Sequence, residues 1–544
     1  MKLQANTNYR TERIDHLGIV SGICQEIGLM EEVDKYIGAN GRQVSVGQAA
    51  QAMVLNGLGF VGRALYLTPE FFRNKPMDLL IGEGVTAEML NDDSLGDALD
   101  RLYEAGVTEL FAQVAARACA HYGIDGRFRH LDSSSFHLHG EYEREDGKEK
   151  VITVTRGYSR DNRPDLKQVV LSLMTTHQAA IPVWLEALSG NKNDKESFPD
   201  TVTAYRQQLK EAEESYFVAD SALYTKDNIK RLSQLRWVTR VPLTIKLAQT
   251  ALVECNQDEA RKLAPGYWGC EYERVYGGIK QRWLVIFSET AYERQTKTFN
   301  RKLAKAQAKA EKALAKLSRQ TFACRPDAEK AIAEVVDGWR YHQAEVTIEP
   351  VMGYDSPGRP AKGSKPSIQG YRVGGAVVPD EAILAAKAQR RGKFIIATNQ
   401  LETDKLSAQE MLSVYKAQGI TVERGFRFLK DPLFFADSLF LKKPSRIMAL
   451  LMIMGLSLLV YALAERQLRQ ALQEKDQSIS NQVGKPTQRL TMRRVFQMFE
   501  GIDLLIIMVA GQIVERQVLN LRPVHEQILS LLGATVKNIY IPPD

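Results

Sequence analysis

Three acidic side chains stand where acids are not expected. Asp132 interrupts the strand-like run "FRHLDSSSFHLHG" (128–140), and Asp220 closes the buried-looking run "YFVAD" at 216–220. Glu423 lies in "ITVERGFRFLKDP" (420–432), where Glu423, Arg427 and Lys430 follow i, i+4, i+7 along one helical face. Strand parity puts Ser134 and Phe136 on the same side as Asp132. Adjacent strands end side by side, and a helix can pack a third acid against them. Three hard oxygen ligands that leave several coordination places to water suit Mg²⁺. Two such ions a few ångströms apart activate a water or a 3′-hydroxyl and stabilise the leaving oxygen of a phosphoryl transfer. Lys430 then stands where it can meet a phosphate near the cut. Taken singly, each acid has a plainer reading: a strand-end Asp caps a turn, and a Glu in a charged helix faces solvent. The functional reading rests on three acids in the right elements and order, with a long insertion between the second and third.

The elements that must position these acids can be read from hydrophobic periodicity. Residues 1–120 read as helices with short breaks, a helix-turn-helix or a packing and dimerisation module. From 125 the period changes to that of strands: "RFRHLDSSSF", "LKQVVLSLMTT" and "IPVWLEAL". A polar helix-like stretch follows at roughly 194–213, then "YFVAD". Three antiparallel strands, a crossover helix and a returning parallel strand make an α/β unit. Residues 245–390 break the pattern with short strands around a long helix, and "SPGRPAKGSKPSIQG" (356–370) reads as a loop. "KFIIATN" (393–399) restores core character, and Ser407 with Glu410 forms a capping-box pattern opening a helix. The chain closes with helical segments.

A chain of 544 residues exceeds one ordinary core and implies about three to four domains. A hydrophobic fraction of 44%, a charged fraction of 25% and a mean hydropathy of -0.27 describe a globular chain and exclude a disordered one. The net charge of +7 permits a polyanionic partner. The 5 cysteines are scattered and lack a C-x-x-C pair, which excludes a disulfide framework and points to a reducing cytoplasm. The opening "MKLQANTNYRTERIDHLG" carries no apolar signal core. One uncharged run, "IMALLMIMGLSLLVYALA" (447–464), is long enough to span a membrane; the other reading is a helix buried in a large core.

Other candidates carry less. His137 and His139 share a strand face near His130, but no further ligand follows at zinc spacing. The serines at 133–135 lack a nucleophile elbow. Residues 294–319 are more informative. Arg294, Lys297, Arg301, Lys305, Lys309, Lys312, Lys316 and Arg319 recur every three or four positions opposite Phe299, Leu303, Ala306, Ala310, Leu314 and Leu317. The result is a helix about 39 Å long, cationic along one side, and it reads as a DNA-backbone contact or as a solvated face.

The stretches "HLDSSSF", "GYSRDNRPDLKQVVLSL", "LSGNKNDKESF", "FVADSALYT", "RWVTRVP", "FIIATN" and "VERGFRFLKDPL" resemble bacterial insertion-sequence transposases of the DDE type. The likeness is to the group whose RNase H-like core is interrupted by an inserted domain before the Glu. It extends over the N-terminal "NGLGFVGRALYLTPEFF" and the apolar helix after "LFLKKPSRI". The resemblance implies that Asp132, Asp220 and Glu423 are the catalytic, metal-binding triad, holding two Mg²⁺ ions with Mn²⁺ as a substitute. The family signature is Tyr, two residues, Arg, three residues, Glu, six residues, Lys. Glu423 and Lys430 keep their spacing and Tyr415 is present, but Gln418 fills the Arg place and the gap to Glu423 is four. Arg424 or Arg427 is left to supply the missing charge. The implied partners are double-stranded element ends and target DNA, with a homodimer and no membrane, in a bacterial cytoplasm and at its nucleoid. An aromatic that stacks a flipped base is also implied, without a choice among the 5 tryptophans. The expected organisation is a helical domain at 1–124, core at 125–245 and 391–466, an inserted domain of strands and a long helix at 246–390, and a helical region at 467–544.

Overall fold

A computed structural model describes residues 7–38, 41–60, 65–142, 151–159, 163–209, 215–255, 259–355, 358, 362–363, 365–432 and 441–542. Parts of the family-like stretches (61–64, 160–162, 433), the end of the helix-like stretch (210–213) and much of the expected loop (356–357, 359–361, 364) lie outside these residues.

Strand β1 (Thr7–Arg13) opens the described chain, followed by a helical region that includes α1 (Leu17–Glu26), α2 (Val46–Leu58), α3 (Asp92–Ala105) and α4 (Val107–His121). The core then runs β2 (Phe128–Leu138), β3 (Lys167–Thr176), β4 (Pro182–Ser189), α5 (Asp194–Leu209), β5 (Tyr216–Ala219) and β6 (Arg236–Arg240). β3 pairs antiparallel with both β2 and β4, while β5 pairs parallel with β2 and β6. This is the α/β unit that the strand, strand, strand, helix, strand order implied, and it fits the RNase H-like core that the resemblance implied. β3 is a central strand buried on both faces, and its near-continuous apolar run follows from that.

The segment after β6 divides in two. β7 (Arg261–Ala264), β8 (Tyr267–Tyr276) and β9 (Ile279–Ser288) belong to the main sheet, whose order is β4-β3-β2-β5-β6-β12-β9-β8-β7, with β12 at Lys393–Thr398. The first strands of the expected insert are therefore core: β12 would otherwise leave an open edge, and β9 satisfies it. The rest consists of α6 (Glu289–Leu317), α7 (Arg325–Asp337) and the hairpin β10 (His342–Gly353) with β11 (Ser367–Pro379). It has its own small core of Leu314, Leu317, Ala328 and Val373. Ser367–Gly370, expected in a loop, belong to β11.

After β12 come α8 (Ala408–Lys416), α9 (Val422–Leu429) and α10 (Pro444–Glu474). Ser407 accepts the Glu410 N–H at 3.1 Å, but the Glu410 carboxylate turns to Arg127 at 2.7 Å, so only half of the expected capping box forms. In α10 the most apolar window is 94% buried inside the protein, as the core-helix reading of that run expects. A Cβ at Gly455 would lie 2.4 Å from Leu185 of β4 and 3.0 Å from Phe111 of α4, so glycine is what lets α10 sit against the sheet. The N-terminal helices, one face of β3 and β4, and α10 share a single hydrophobic core.

The region after 467 is not purely helical. α11 (Met492–Met498) precedes two strands, Asp503–Val509 and Gln512–Leu519, and α12 (Pro523–Leu532) and α13 (Ala534–Tyr540) follow. The run "DLLIIMV" is rich in β-formers. Ala510 (φ 52) and Gly511 (φ 83) make the two-residue left-handed turn that hairpins favour. The first of these strands pairs with β1, so the N-terminal region also contains a strand, tied to the C-terminal one.

Candidate active site

Sheet register brings the two aspartates level. The β2–β5 pairing runs from Phe128↔Tyr216 to His130↔Val218. Carried two residues further, the same offset sets Asp132 beside Asp220, one strand spacing of about 4.8 Å away. Strand parity points both carboxylates to the face covered by α8 and α9. Asp132 is half-buried, with Oδ1 accepting the Ser133 N–H at 2.8 Å. Asp220 is half-buried where β5 ends; its Oδ1 accepts the Ala222 N–H and its carbonyl accepts the Thr239 hydroxyl, at 2.8 and 2.6 Å. Each carboxylate thus keeps one oxygen oriented by backbone. The plainer reading of Asp220 as a turn residue is also true, and the turn is what aims it.

Glu423 is exposed in the first turn of α9. That helix packs on β2 and β3, and a Cβ at Gly425 would come 2.8 Å from Leu173. Leu173 is the register partner of Asp132. The missing side chain at 425 therefore presses the Glu423 helix onto the strand beside Asp132. Tyr415, half-buried on α8, reports the same convergence. Its phenol is pushed above the ordinary range chiefly by burial; Asp220 and Glu423 add to the rise, and Arg240 opposes it through charge and a side-chain hydrogen bond.

The remaining expected site residues divide. Lys430 caps the end of α9, with Nζ 5.5 Å from the ring centre of Phe136, on the Asp132 face. Asp431, its neighbour in sequence, pairs with Arg493 at 3.1 Å. Arg427 is exposed and donates to the Gly419 carbonyl at 2.9 Å. Arg424 turns away into an ion pair with the buried Glu465, which also holds Arg469 at 2.8 Å and accepts the Met492 N–H at 3.3 Å. Gln418, in the signature's arginine place, is buried and donates to the Val218 carbonyl at 3.4 Å, tying the turn before α9 to β5. Of the candidates for the missing charge, Arg424 is thus engaged elsewhere.

Sequence reading passed over Arg240 and Glu465. Arg240 had a signal, its place in "RWVTRVP"; Glu465, at the polar edge of an apolar run, had none that distinguishes it. His130 meets His177 at 3.1 Å and His137 meets Ser159 at 2.9 Å, so these rings have partners other than a zinc ion. Among the described residues no three His, Cys, Asp or Glu side chains close into a ready metal cage. The donor chemistry nonetheless fits a hard cation: Asp132, Asp220 and Glu423 offer only carboxylate oxygens, on one face.

Away from the carboxylates, α6 spans 29 residues. Its buried positions, Ala310, Leu314 and Leu317, all fall in the C-terminal half. Arg301, Lys305, Lys309, Lys312 and Lys316 are exposed, and among the described residues no ion pair engages them. Trp184, Trp237 and Trp283 are core residues; Trp268 and Trp339 are partly exposed.

Comparison with known families gives the class of protein. Residues 124–461 match the transposase DDE domain, and residues 9–116 match a domain of unknown function (DUF4277). The chain belongs to the DDE transposase domain family, and it is a DDE-type DNA transposase. No curated protein sequence matches it. Among solved structures it is similar to a piggyBac transposase in a synaptic complex with hairpin DNA, at 7% identity, over 90% of this chain and 82% of that one. The TM-score of that similarity is 0.38.

Proposed function

We propose that the protein cuts DNA at the ends of an insertion sequence and joins those ends to target DNA, using Asp132, Asp220 and Glu423 as ligands for two divalent ions. The observation that supports this reading is the β2–β5 register, which carried two residues past its last pair sets Asp132 beside Asp220, with the Glu423 helix packed on β2 and β3. When bound, Mg²⁺ would activate the attacking oxygen and neutralise charge on the leaving one. The side chains do the rest by position. The three carboxylates fix one spot at the mouth of the sheet where a phosphodiester must lie. Lys430 and Arg427, further along α9, stand where they can hold the flanking phosphates without touching the ions. In cleavage, water forms a new P–O bond and the 3′-oxygen of the cut strand departs. In joining, that 3′-hydroxyl attacks a target phosphodiester and another 3′-oxygen departs, so the number of phosphodiester bonds is conserved.

The exposed cations of α6 supply backbone binding that is indifferent to sequence. The working form is a homodimer on paired double-stranded ends, in the cytoplasm and at the nucleoid, with no membrane step. The deciding experiment incubates purified protein with labelled element ends and Mg²⁺. Strand cuts at the element boundary and joined products are expected. Firm binding without any cutting would instead mark a catalytically silent DNA-binding derivative.

A further inference from the structure

Arg240 lies in the same row as the two aspartates, one strand further along. β5 and β6 pair in parallel from Tyr216↔Arg236 to Ala219↔Thr239. The next step in that register sets Asp220 beside Arg240, as the β2–β5 register sets Asp132 beside Asp220. The Arg240 backbone is fixed by pairing with Ile396 across β12, and its neighbours Thr239 and Val241 are fully buried. Its side chain is exposed but not loose. The guanidinium carbon sits 5.5 Å from the ring centre of Phe394, whose ring lies 6.5 Å from that of Tyr415. The Tyr415 phenol lies close enough for the Arg240 charge to act on it, opposing the rise that burial causes.

Among the described residues no ion pair joins Arg240 to a carboxylate. A guanidinium held over a ring, yet not neutralised, is prepared for an anion from outside. The three carboxylates repel any phosphate brought to them, and the cation closest to Asp220 in the sheet offsets that repulsion.

We propose that Arg240 is a DNA-contacting residue, binding the phosphodiester next to the one at the carboxylates, with Phe394 holding its fork in place. This rests on the reading of Asp132, Asp220 and Glu423 as the cutting site. A planar fork with parallel donors grips two phosphate oxygens at once, which a lysine in the same place cannot do. The geometry also explains how Gln418 can serve where the signature carries an arginine: the charge arrives from β6 instead of from the segment before α9.

The test pairs Arg240→Gln and Arg240→Lys with duplexes of an element end in which single phosphates near the cut are replaced by neutral methylphosphonates. Binding is measured without metal and cutting with Mg²⁺. For the natural protein, neutralising one phosphate beside the cut should weaken binding by about 10- to 100-fold. Arg240→Gln should show the same loss on the unmodified duplex and no further loss at that phosphate, while Arg240→Lys should fall between. If both variants remain as sensitive as the natural protein at every phosphate, Arg240 touches none and the proposal fails. Should Arg240→Gln fail to fold, the Arg240→Lys comparison decides alone. Failure of the underlying reading shows separately, as absence of cutting by the natural protein on the unmodified duplex.

Discussion

Under the proposed function, the carboxylate face and the basic helix α6 would solve different problems with different amounts of structure. Asp132 stands on, and Asp220 at the end of, strands with neighbours on both sides, and the Glu423 helix rests on the main core through Val422 and Phe426. α6 projects 29 residues with only three buried positions, and two of these, Leu314 and Leu317, join Ala328 and Val373 in its small core. Metal-dependent phosphoryl transfer needs ligands held to fractions of an ångström, which only a packed scaffold supplies. Holding a DNA backbone needs charge at roughly the right spacing, which a solvated helix supplies at little structural cost. Cutting and gripping should therefore separate under mutation.

The largest effect should come from the carboxylates. Asp132→Ala, Asp220→Ala and Glu423→Ala should each slow cutting by about 10³-fold or more while leaving end binding within a fewfold. Chelation by EDTA should do the same to the natural protein, with Mg²⁺ or Mn²⁺ restoring it. Near-normal cutting by any one variant would remove that residue from the site. Next is the grip: converting Lys305, Lys309, Lys312 and Lys316 together to Gln should weaken binding on the order of 100-fold at low salt. The salt slope should flatten by about 0.9 for each phosphate that the variant no longer neutralises. Cutting at saturating DNA should persist, and its disappearance would collapse the division between the two regions.

A third effect sharpens the scaffold side. Glu465→Gln leaves Arg424 and Arg469 facing each other with no carboxylate between them. Glu465 is 4% exposed, but its partners are 36% and 28% exposed, so solvent screens part of the loss. The expected cost is about 2–3 kcal/mol, read from the denaturation midpoint. An unchanged midpoint would mean that α9 does not depend on this tie. The smallest effect is expected at Lys430. Lys430→Ala should slow cutting by about tenfold at saturating DNA, and extra Mg²⁺ or Mn²⁺ should not rescue it. Lys430→Arg should keep part of the rate. Full activity in Lys430→Ala would leave only a surface lysine.

The two regions also differ in how far the sequence reveals them. α6 is a local object: its period, length and charge are written in one continuous stretch, and the structure only trims the end, since Arg319 falls beyond the helix. The carboxylates were recognisable through flanking strand patterns and their order, because an acid at the end of an apolar run is conspicuous. The C-terminal hairpin was not, because "DLLIIMV" is too short for periodicity to separate strand from helix, and its partner β1 lies at the other end of the chain. The insert was misjudged at its start for a related reason: β9 reads as an isolated strand until β12 is placed beside it.

What the sequence determined by itself is therefore what depends on neighbours in the chain. That covers the residue types able to hold a hard cation, the strand and helix order that carries them, the cationic face of α6, and the apolar run of α10. Tertiary structure alone decided which charges share a place. Arg424, adjacent to Glu423, is drawn off by Glu465 from α10, forty-one residues away. Arg240, far from Glu423 in the chain, comes to the Asp220 face because parallel register lays β6 beside β5. Charges act through distance in space, and strand pairing between remote segments sets that distance.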